Sequence, residues 1–203
     1  MALLNYIIPD QGFEVVGGLI VSILRTEFAN QEVLSADSNI NPEVFLERFV
    51  SIGKEKIPAI NVTTSRGNIT TNTTVSRNGD YNWFIDVYAK AKSSDGVRAD
   101  ELASKRLKKM IGRIMVILED PQYRVLGIEQ PAGIGRTFIA DIAIADPTEV
   151  DEATSSIMGR LTFTVNITDV PQLLGANAIN GYQTESQIDD TGKGHEFTEE
   201  PTV

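Results

Sequence analysis

The sequence predicts an α+β fold in which a mixed or antiparallel sheet packs against two main helices. Two segments, residues 81–91 and 157–167, alternate apolar and polar side chains as half-buried strands do. Between them, apolar side chains recur at three- and four-residue steps over residues 97–118, which is one stripe of an amphipathic helix. A second helical pattern covers residues 11–29. Elements of this kind can share one core.

The N-terminal helical pattern places Phe13, Ile20 and Phe28 on its apolar face. Gly17 and Gly18 interrupt the pattern, and a glycine inside a helix costs about 1 kcal/mol relative to alanine. We therefore predict a slightly weak helix. The alternatives are a helix that begins after the glycines and a close approach by another part of the backbone.

The segments that follow give weaker signals. Residues 32–42 are polar and are predicted to form a loop, whereas the apolar run at 44–50 fits a strand or a short helix equally well. Residues 57–62 are predicted to form an edge strand, because Pro58 cannot donate to a ladder. Residues 63–79 are rich in Thr, Ser and Asn. They form either a long exposed hairpin with a mobile tip or an extension that a partner orders.

The central strand at 81–91 is predicted to bury one face against the core. The apolar side chains of that face are Tyr81, Trp83, Ile85, Val87, Ala89 and Ala91. The opposite face is mixed and includes Phe84, Asp86 and Lys90. We expect it to be partly solvated or covered by a partner.

The long helix should begin after residues 93–96, where the strand pattern breaks. Ser94 or Asp95 is the candidate N-cap, because the side-chain oxygens of these residue types accept from the first free N–H groups of a helix. Pro121 ends the helix, because proline cannot continue it and disfavours helical geometry in the residue before it.

Beyond the helix, we predict a short strand at 123–128 and a turn at 130–135. A strand at 136–145 follows. Its predicted apolar face consists of Phe138, Ala140, Ile142 and Ile144.

The domain organisation follows from these elements. Residues 1–170 are predicted to form a single domain, with residues 61–80 as a polar extension. Residues 171–203 are acidic and contain few large apolar side chains, so we expect a flexible C-terminal tail.

Composition excludes several classes of function. The chain has 203 residues, a formal net charge of −10 and no cysteine. The charge argues against generic duplex-DNA binding, which depends on Lys and Arg neutralising phosphates. The lack of cysteine excludes disulfides, thiolate catalysis and the usual zinc sites. The start has no basic n-region and residues 15–24 are too short to span a bilayer, so we expect a soluble, intracellularly made protein without a membrane partner.

Candidate catalytic groups are few. His195 is the single histidine and lies in the predicted tail, where no rigid shell would hold it as a general base. Gly133 and Gly135 fit a hairpin turn better than a phosphate-binding loop, because a strand and not a helix follows them. We predict no catalytic residue and no cofactor.

Carboxylates at two places are candidates for binding a metal ion. Asp141, Asp146, Asp151 and Glu152 match no calcium-loop spacing and are interpreted as a solvated acidic loop, so no metal site is predicted. Asp86 resembles the acid of metal-dependent nucleases, with Lys90 as the accompanying lysine, but alternation along a strand explains both. A metal-dependent nuclease or phosphodiesterase stays as the alternative from a different class.

Basic residues crowd the long helix. They are Lys105, Arg106, Lys108, Lys109 and Arg113. A solvated helix face is the favoured interpretation, since long basic side chains can flank an apolar stripe with their charges in water. The alternative is a basic face that meets an acidic neighbour.

The order of these elements carries a family resemblance, which includes Trp83 in the central strand and the local sequences 110–114 (Met-Ile-Gly-Arg-Ile) and 118–123 (Leu-Glu-Asp-Pro-Gln-Tyr). The chain resembles the tail terminator proteins of tailed bacteriophages over residues 81–146. Agreement is looser at 13–28 and at 161–167. The long segment at 63–79 and the acidic tail depart from the shorter members of that family, so a neck or head–tail connector (head completion) protein is the alternative.

The resemblance implies a structural virion protein that is not an enzyme. Such a subunit forms a ring, a hexamer in this family, that caps the tail tube and stops its polymerisation. The implied partners are the tail tube protein, a head–neck connector protein and, as a further candidate, the tail sheath. DNA would pass through the lumen without specific binding. The implied location is the head-proximal end of the tail, after synthesis in the host cytoplasm.

Under this hypothesis, the predicted interface residues are polar, basic or aromatic side chains of the central strand, the long helix and their flanking loops. They are Arg66, Asn72, Arg77, Trp83, Tyr88, Lys105, Lys108, Lys109, Arg113, Asp146 and Glu149.

Overall fold

A computed structural model describes residues 11–35, 41–49, 57–72, 77–127, 133–145, 149–151, 154–169, 183–187 and 194–198. The chain divides into two compact units. One is Pro9–Pro171, and the other combines Met1–Ile8 with Gln172–Val203. Among the described residues, no helix has the length and apolarity that crossing a membrane requires.

The larger unit is a mixed sheet with two helices, so the predicted α+β class is confirmed. The strands are β1 Glu43–Leu46, β2 Ala59–Asn72, β3 Arg77–Lys92, β4 Gly133–Ile144, β5 Glu149–Asp151 and β6 Thr154–Asp169. They run in the order β1-β2-β3-β6-β4, and β5 pairs with β6. Among these described strands, only the β1–β2 pair is parallel. The helices are α1 Gly12–Ser35 and α2 Ala99–Glu119.

The antiparallel pair of β3 and β6 forms the centre of the sheet, with 16 residues in each strand. Trp83 lies opposite Phe163 and Ile85 opposite Leu161, and all four side chains are fully buried. The predicted alternation of both strands is confirmed. One face of the sheet therefore carries the core.

Both helices pack on that face. In α1, Gly17 lies against the Trp83 indole. In α2, Leu107 and Ile111 lie against Gly159, where a Cβ would stand 2.8 Å from Ile111 Cδ1. The predicted apolar stripe of α2 is buried as expected. Since both helices lie on one side, no helix among the described residues packs on the opposite face of the sheet.

The predicted N-cap of α2 is wrong. Ser94 and Val97 bond to each other across a turn, in which Asp95 and Gly96 adopt positive φ angles of 52° and 76°. That geometry cannot lead directly into a right-handed helix. The N-cap is Arg98, which makes no side-chain capping bond.

Helix α1 is longer than predicted, because residues 32–35 continue it instead of forming a loop. Its two adjacent glycines differ. A Cβ at Gly17 would lie 3.2 Å from Leu46 Cδ1 and 3.4 Å from Trp83 Nε1, whereas a Cβ at Gly18 would meet nothing within 4 Å. Side chains approach closely at the first glycine, and the second merely weakens the helix.

Strand β2 is not the predicted edge strand, because β1 pairs along its outer side. Pro58 precedes the first residue of β2, and its carbonyl accepts from the Glu43 N–H. The missing proline N–H therefore leaves no gap in the ladder. The undecided run at 44–50 contributes β1.

The predicted strand at 123–128 is also wrong. Asp120 accepts from the Gln122 N–H and caps a short 3-10 helix at Pro121–Tyr123, and turns continue to residue 127. Leu126 enters the core from this turn with a positive φ of 50°. The Tyr123 hydroxyl donates to the Glu27 carboxylate, and this bond is the main reason that the pKa of Tyr123 rises to about 12. The bond ties this turn to α1.

The apolar face predicted for β4 is wrong, because the pairing of β4 with β6 contains two register shifts. Each shift moves the residues after it to the other face. Phe138 lies opposite Thr164, away from the helices, whereas Ile142 lies opposite Leu161 on the helix side. Ala140 is exposed, and Ile142 and Ile144 are only partly covered at the edge of the helix layer.

Several predicted segments fall partly or wholly outside the described residues. The tip of the predicted hairpin, residues 73–76, lies outside them, as do residues 128–132 and much of the acidic loop at 146–152. In the predicted tail, β7 (Gln183–Gln187) and β8 (Gly194–Thr198) form an antiparallel pair that includes His195. The rest of that tail is outside the described residues.

The two glycines of α1 give a direct test of this packing. Gly18→Ala should increase the free energy of unfolding by about 0.5–1 kcal/mol, because alanine restores helix propensity in open space. Gly17→Ala should increase it less or decrease it, since its Cβ meets Leu46 and Trp83. Denaturant unfolding of both variants measures the difference. Equal stabilisation would contradict the close approach at Gly17.

Candidate interaction surfaces

The face of the sheet away from the helices is a polar surface, which we call the open face, and its side chains bond to one another. Arg160 on β6 donates from Nε and Nη2 to the two carboxylate oxygens of Asp86 on β3, at 2.6 and 2.9 Å. The Arg160 guanidinium also lies over the Phe84 ring, 4.3 Å from its centroid. Cation–π stacking and a bidentate ion pair therefore hold one arginine in place.

This arrangement raises the pKa values of two side chains on the open face. The hydrogen bond to Asp86 raises the pKa of Arg160, so the guanidinium stays charged. Burial, with a smaller effect of the Asp86 charge, raises the pKa of the neighbouring Tyr88 hydroxyl, so that group stays neutral. The Asp86 side chain is only 8% exposed and the Arg160 side chain is 40% exposed, so loss of Arg160 would leave a buried carboxylate without its charged partner.

Amide and hydroxyl groups continue the open face towards the hairpin. The Thr164 hydroxyl donates to the Asn82 side-chain oxygen at 2.8 Å. Asn166 donates to Asn78 and to Asp80, at 3.0 and 2.7 Å. These bonds join β3 to β6 side by side. The open face is consequently ordered before any partner arrives.

The β2–β3 hairpin is the second surface. Successive side chains on a strand point to opposite faces, yet all residues from 64 to 70 are exposed. Both faces of the β2 half of this arm therefore lie outside the core, whereas the β3 half beside it pairs with β6. At its base, the Tyr81 ring lies across Gly67, where a Cβ would approach to 2.6 Å, and stacks on Phe13 with centroids 5.9 Å apart. The hairpin prediction is confirmed, and its base is anchored to α1.

The outer side of α2 is the third surface. Five of the chain's 18 Lys and Arg residues fall between positions 105 and 113. Lys105, Lys108 and Lys109 are exposed, Arg106 donates to the Lys90 carbonyl at 2.9 Å, and Arg113 is half-buried. Among the described residues, no ion pair involves these five side chains.

A shallow depression of about 390 Å³ lies at the start of α2, lined by Arg98, Asp100, Glu101, Ser104 and Ile157. Arg98 bonds to Asp100, which lowers the pKa of that exposed carboxyl. Within the described part of the chain, no group of three or more acidic or histidine side chains could hold a metal ion.

The predicted interface residues do not form one site. Arg66 is exposed on the arm, Arg77 is half-buried where β3 begins, and Tyr88 lies on the open face. Asn72 ends β2 and Glu149 begins β5, while Asp146 lies outside the described residues.

Trp83 was predicted at the interface and this is wrong. Its side chain is fully buried in the core, so it cannot contact a partner directly.

Sequence reasoning missed the stack of Phe84, Arg160 and Asp86. Their residue types were visible, but the pairing depends on the alignment of β3 with β6, which places Arg160 opposite Asp86 across 74 residues of sequence. No local pattern contains that information. Sequence reasoning also missed a second stack, Arg136 over Phe138, whose residues lie two positions apart on β4.

Comparisons with protein-family models and with curated proteins found no match for this chain. Its surfaces therefore carry the functional argument.

The ion pair of the open face can be tested by substitution. Asp86→Ala should lower the free energy of unfolding by about 1–2 kcal/mol, because it removes two charge-assisted hydrogen bonds from Arg160, whose 40% exposed side chain water can then solvate. Asp141→Ala, at an exposed position of β4, should change it by less than about 0.5 kcal/mol. Denaturant unfolding compares the two. A small effect at Asp86 would contradict the proposed role of the pair.

Proposed function

We propose that this chain is a structural subunit of a bacteriophage virion, a tail terminator that forms a ring on the end of the tail tube. The proposal starts from the resemblance described above. The α+β class, with a sheet and two main helices, agrees with what that resemblance implies. In this role, the ring stops tube polymerisation and offers its other side to the head or neck.

The β2–β3 arm is the observation that carries the proposal. Its β2 half extends the sheet by residues that bury no core of their own, since residues 64–70 are exposed on both faces. Such an arm contributes little to the stability of one subunit. It can contribute more to assembly, by lying against a neighbouring subunit or the tube.

The open face supports the same role. Its aromatic and arginine side chains are of the kinds enriched at protein interfaces, and its hydrogen bonds fix them in advance. Asp86, the sequence's best candidate for metal chemistry, has both carboxylate oxygens bonded to Arg160. This arrangement favours a binding surface over a metal-dependent catalyst.

The proposal predicts a ring that binds tube ends. Mass photometry of the purified protein should detect a closed oligomer, a hexamer if the family resemblance holds, alone or with polymerised tail tube protein. Electron microscopy should then find the ring at one end of each tube, with tube growth stopped. A monomer that leaves tube length unchanged would count against the proposal, and binding to head–neck connectors alone would indicate a connector.

An assay for DNA cleavage with magnesium or manganese separates the enzyme class. Activity that is lost in both Asp86→Ala and Asp141→Ala would favour a nuclease over the structural role.

Shortening the arm should impair assembly without unfolding the subunit. Replacing residues 69–79 with Asn-Gly joins Asn68 to Asp80, which already lie opposite each other. The replacement also removes the last three β3–β6 pairs and the Asn166 to Asn78 bond, so a full-length comparison is needed. Circular dichroism should show a folded chain, while ring formation and tube capping decline. Ile69→Asp, at a half-exposed apolar position of the arm, is the full-length comparison, and Thr70→Ser is the control. Normal capping by the shortened chain would rule out the arm as an assembly contact.

A further inference from the structure

The outer side of α2 carries a stripe that the fold of one chain does not explain. The stripe comprises Lys105, Lys108, Gly112, Val116 and Glu119, all exposed. Their spacing of three or four residues places them on one side of the helix, opposite its buried stripe. Val116 is 71% exposed in the middle of a charged surface.

Gly112 is the informative member of the stripe. A glycine inside a helix costs about 1 kcal/mol relative to alanine. At Gly159 the fold requires that cost, because a Cβ would lie 2.8 Å from Ile111. At Gly112 a Cβ would meet nothing within 4 Å. The missing side chain therefore serves no packing among the described residues, as at Gly18. What distinguishes Gly112 is its place at the centre of the outer stripe, where it lets a second backbone approach the helix closely.

The residues around Gly112 are arranged symmetrically. Lys105 and Glu119 each lie seven positions from Gly112, on opposite sides, and Lys108 and Val116 each lie four positions from it. With a rise of 1.5 Å per residue, these distances are about 10 Å and 6 Å along the axis. A copy of the helix that crosses at Gly112 in the antiparallel direction would thus bring Lys105 to Glu119. It would also place the Lys108 stem on Val116.

We propose that two copies of this chain associate through the outer stripe of α2, in an antiparallel two-fold contact centred on Gly112. The contact is complementary to itself, because a positive end of each stripe meets a negative end of the other. A second copy fits better than a nucleic acid, since the stripe ends in a carboxylate, contains an exposed valine and belongs to a chain of net charge −10.

This contact is separate from the proposed ring. A two-fold contact closes with two copies, whereas a ring needs a head-to-tail contact between unlike surfaces. One pair of helices also buries less surface than a permanent dimer requires, so the association is weak and depends on concentration. Salt weakens it further, because exposed charges contribute to it.

The lack of cysteine in the chain makes a cross-linking test specific. Under mild oxidation, Gly112→Cys should form a disulfide-linked dimer, because the two introduced thiols face each other at the crossing point. Lys105→Cys alone should form no disulfide-linked dimer. A mixture of Lys105→Cys and Glu119→Cys should form a mixed disulfide-linked dimer. Ser22→Cys, on the exposed side of α1, is the control for random collision.

Charge reversal tests the same contact without cysteine. Lys105→Glu and Glu119→Lys should each weaken dimerisation by about tenfold in sedimentation equilibrium, because each substitution places like charges together twice in the dimer. The variant with both substitutions should recover it.

Specific outcomes overturn the proposal. It fails if Gly112→Cys links no faster than Ser22→Cys, if the double reversal does not recover dimerisation, or if the lysines prove to bind duplex DNA instead. A wild-type ring on tail tubes together with any of these results would leave the proposed function standing.

Discussion

The larger unit depends on the register between β3 and β6. The apolar alternation of the two strands and the partly buried ion pair require the same alignment, which sets Trp83 opposite Phe163 and Asp86 opposite Arg160. A slip of one residue would turn Trp83 towards the open face and Asp86 towards the core. The exposure of Trp83 and the burial of Asp86 would both cost free energy, so each face of the sheet independently favours the native alignment. The two helices pack on this pair of strands, the arm continues β3, and strand β4 pairs with β6.

The two faces of the sheet have different physical roles. One face buries large apolar side chains beneath α1 and α2 and supplies most of the hydrophobic stabilisation. On the other face, polar side chains form hydrogen bonds with side chains of the neighbouring strand, as Thr164 does with Asn82. Side chains that are already held lose less conformational freedom when a partner binds. A polar surface of this kind can therefore be part of an interface without a large apolar patch.

Much of this architecture could be predicted from the sequence, and the failures have identifiable causes. Strands β3 and β6 and the stripe of α2 were predicted because burial on one side imposes a clear periodicity over many residues. The face of β4 was not, because bulges interrupt the alternation that prediction relies on. Nor was the stack of Arg160 on Phe84, since only the strand register brings those residues together. Exposed surfaces were indicated by composition, but their relative placement required the fold.

The burial of Trp83 has a consequence for measurement. It is the single tryptophan of the chain, it is fully enclosed, and its indole N–H has no hydrogen-bond acceptor among the described residues. Its fluorescence therefore originates from one apolar position where α1 meets the sheet. An emission shift towards longer wavelength would report the separation of that helix from the strands, even while the rest of the sheet stayed paired. The protein thus contains an intrinsic optical probe of its own core.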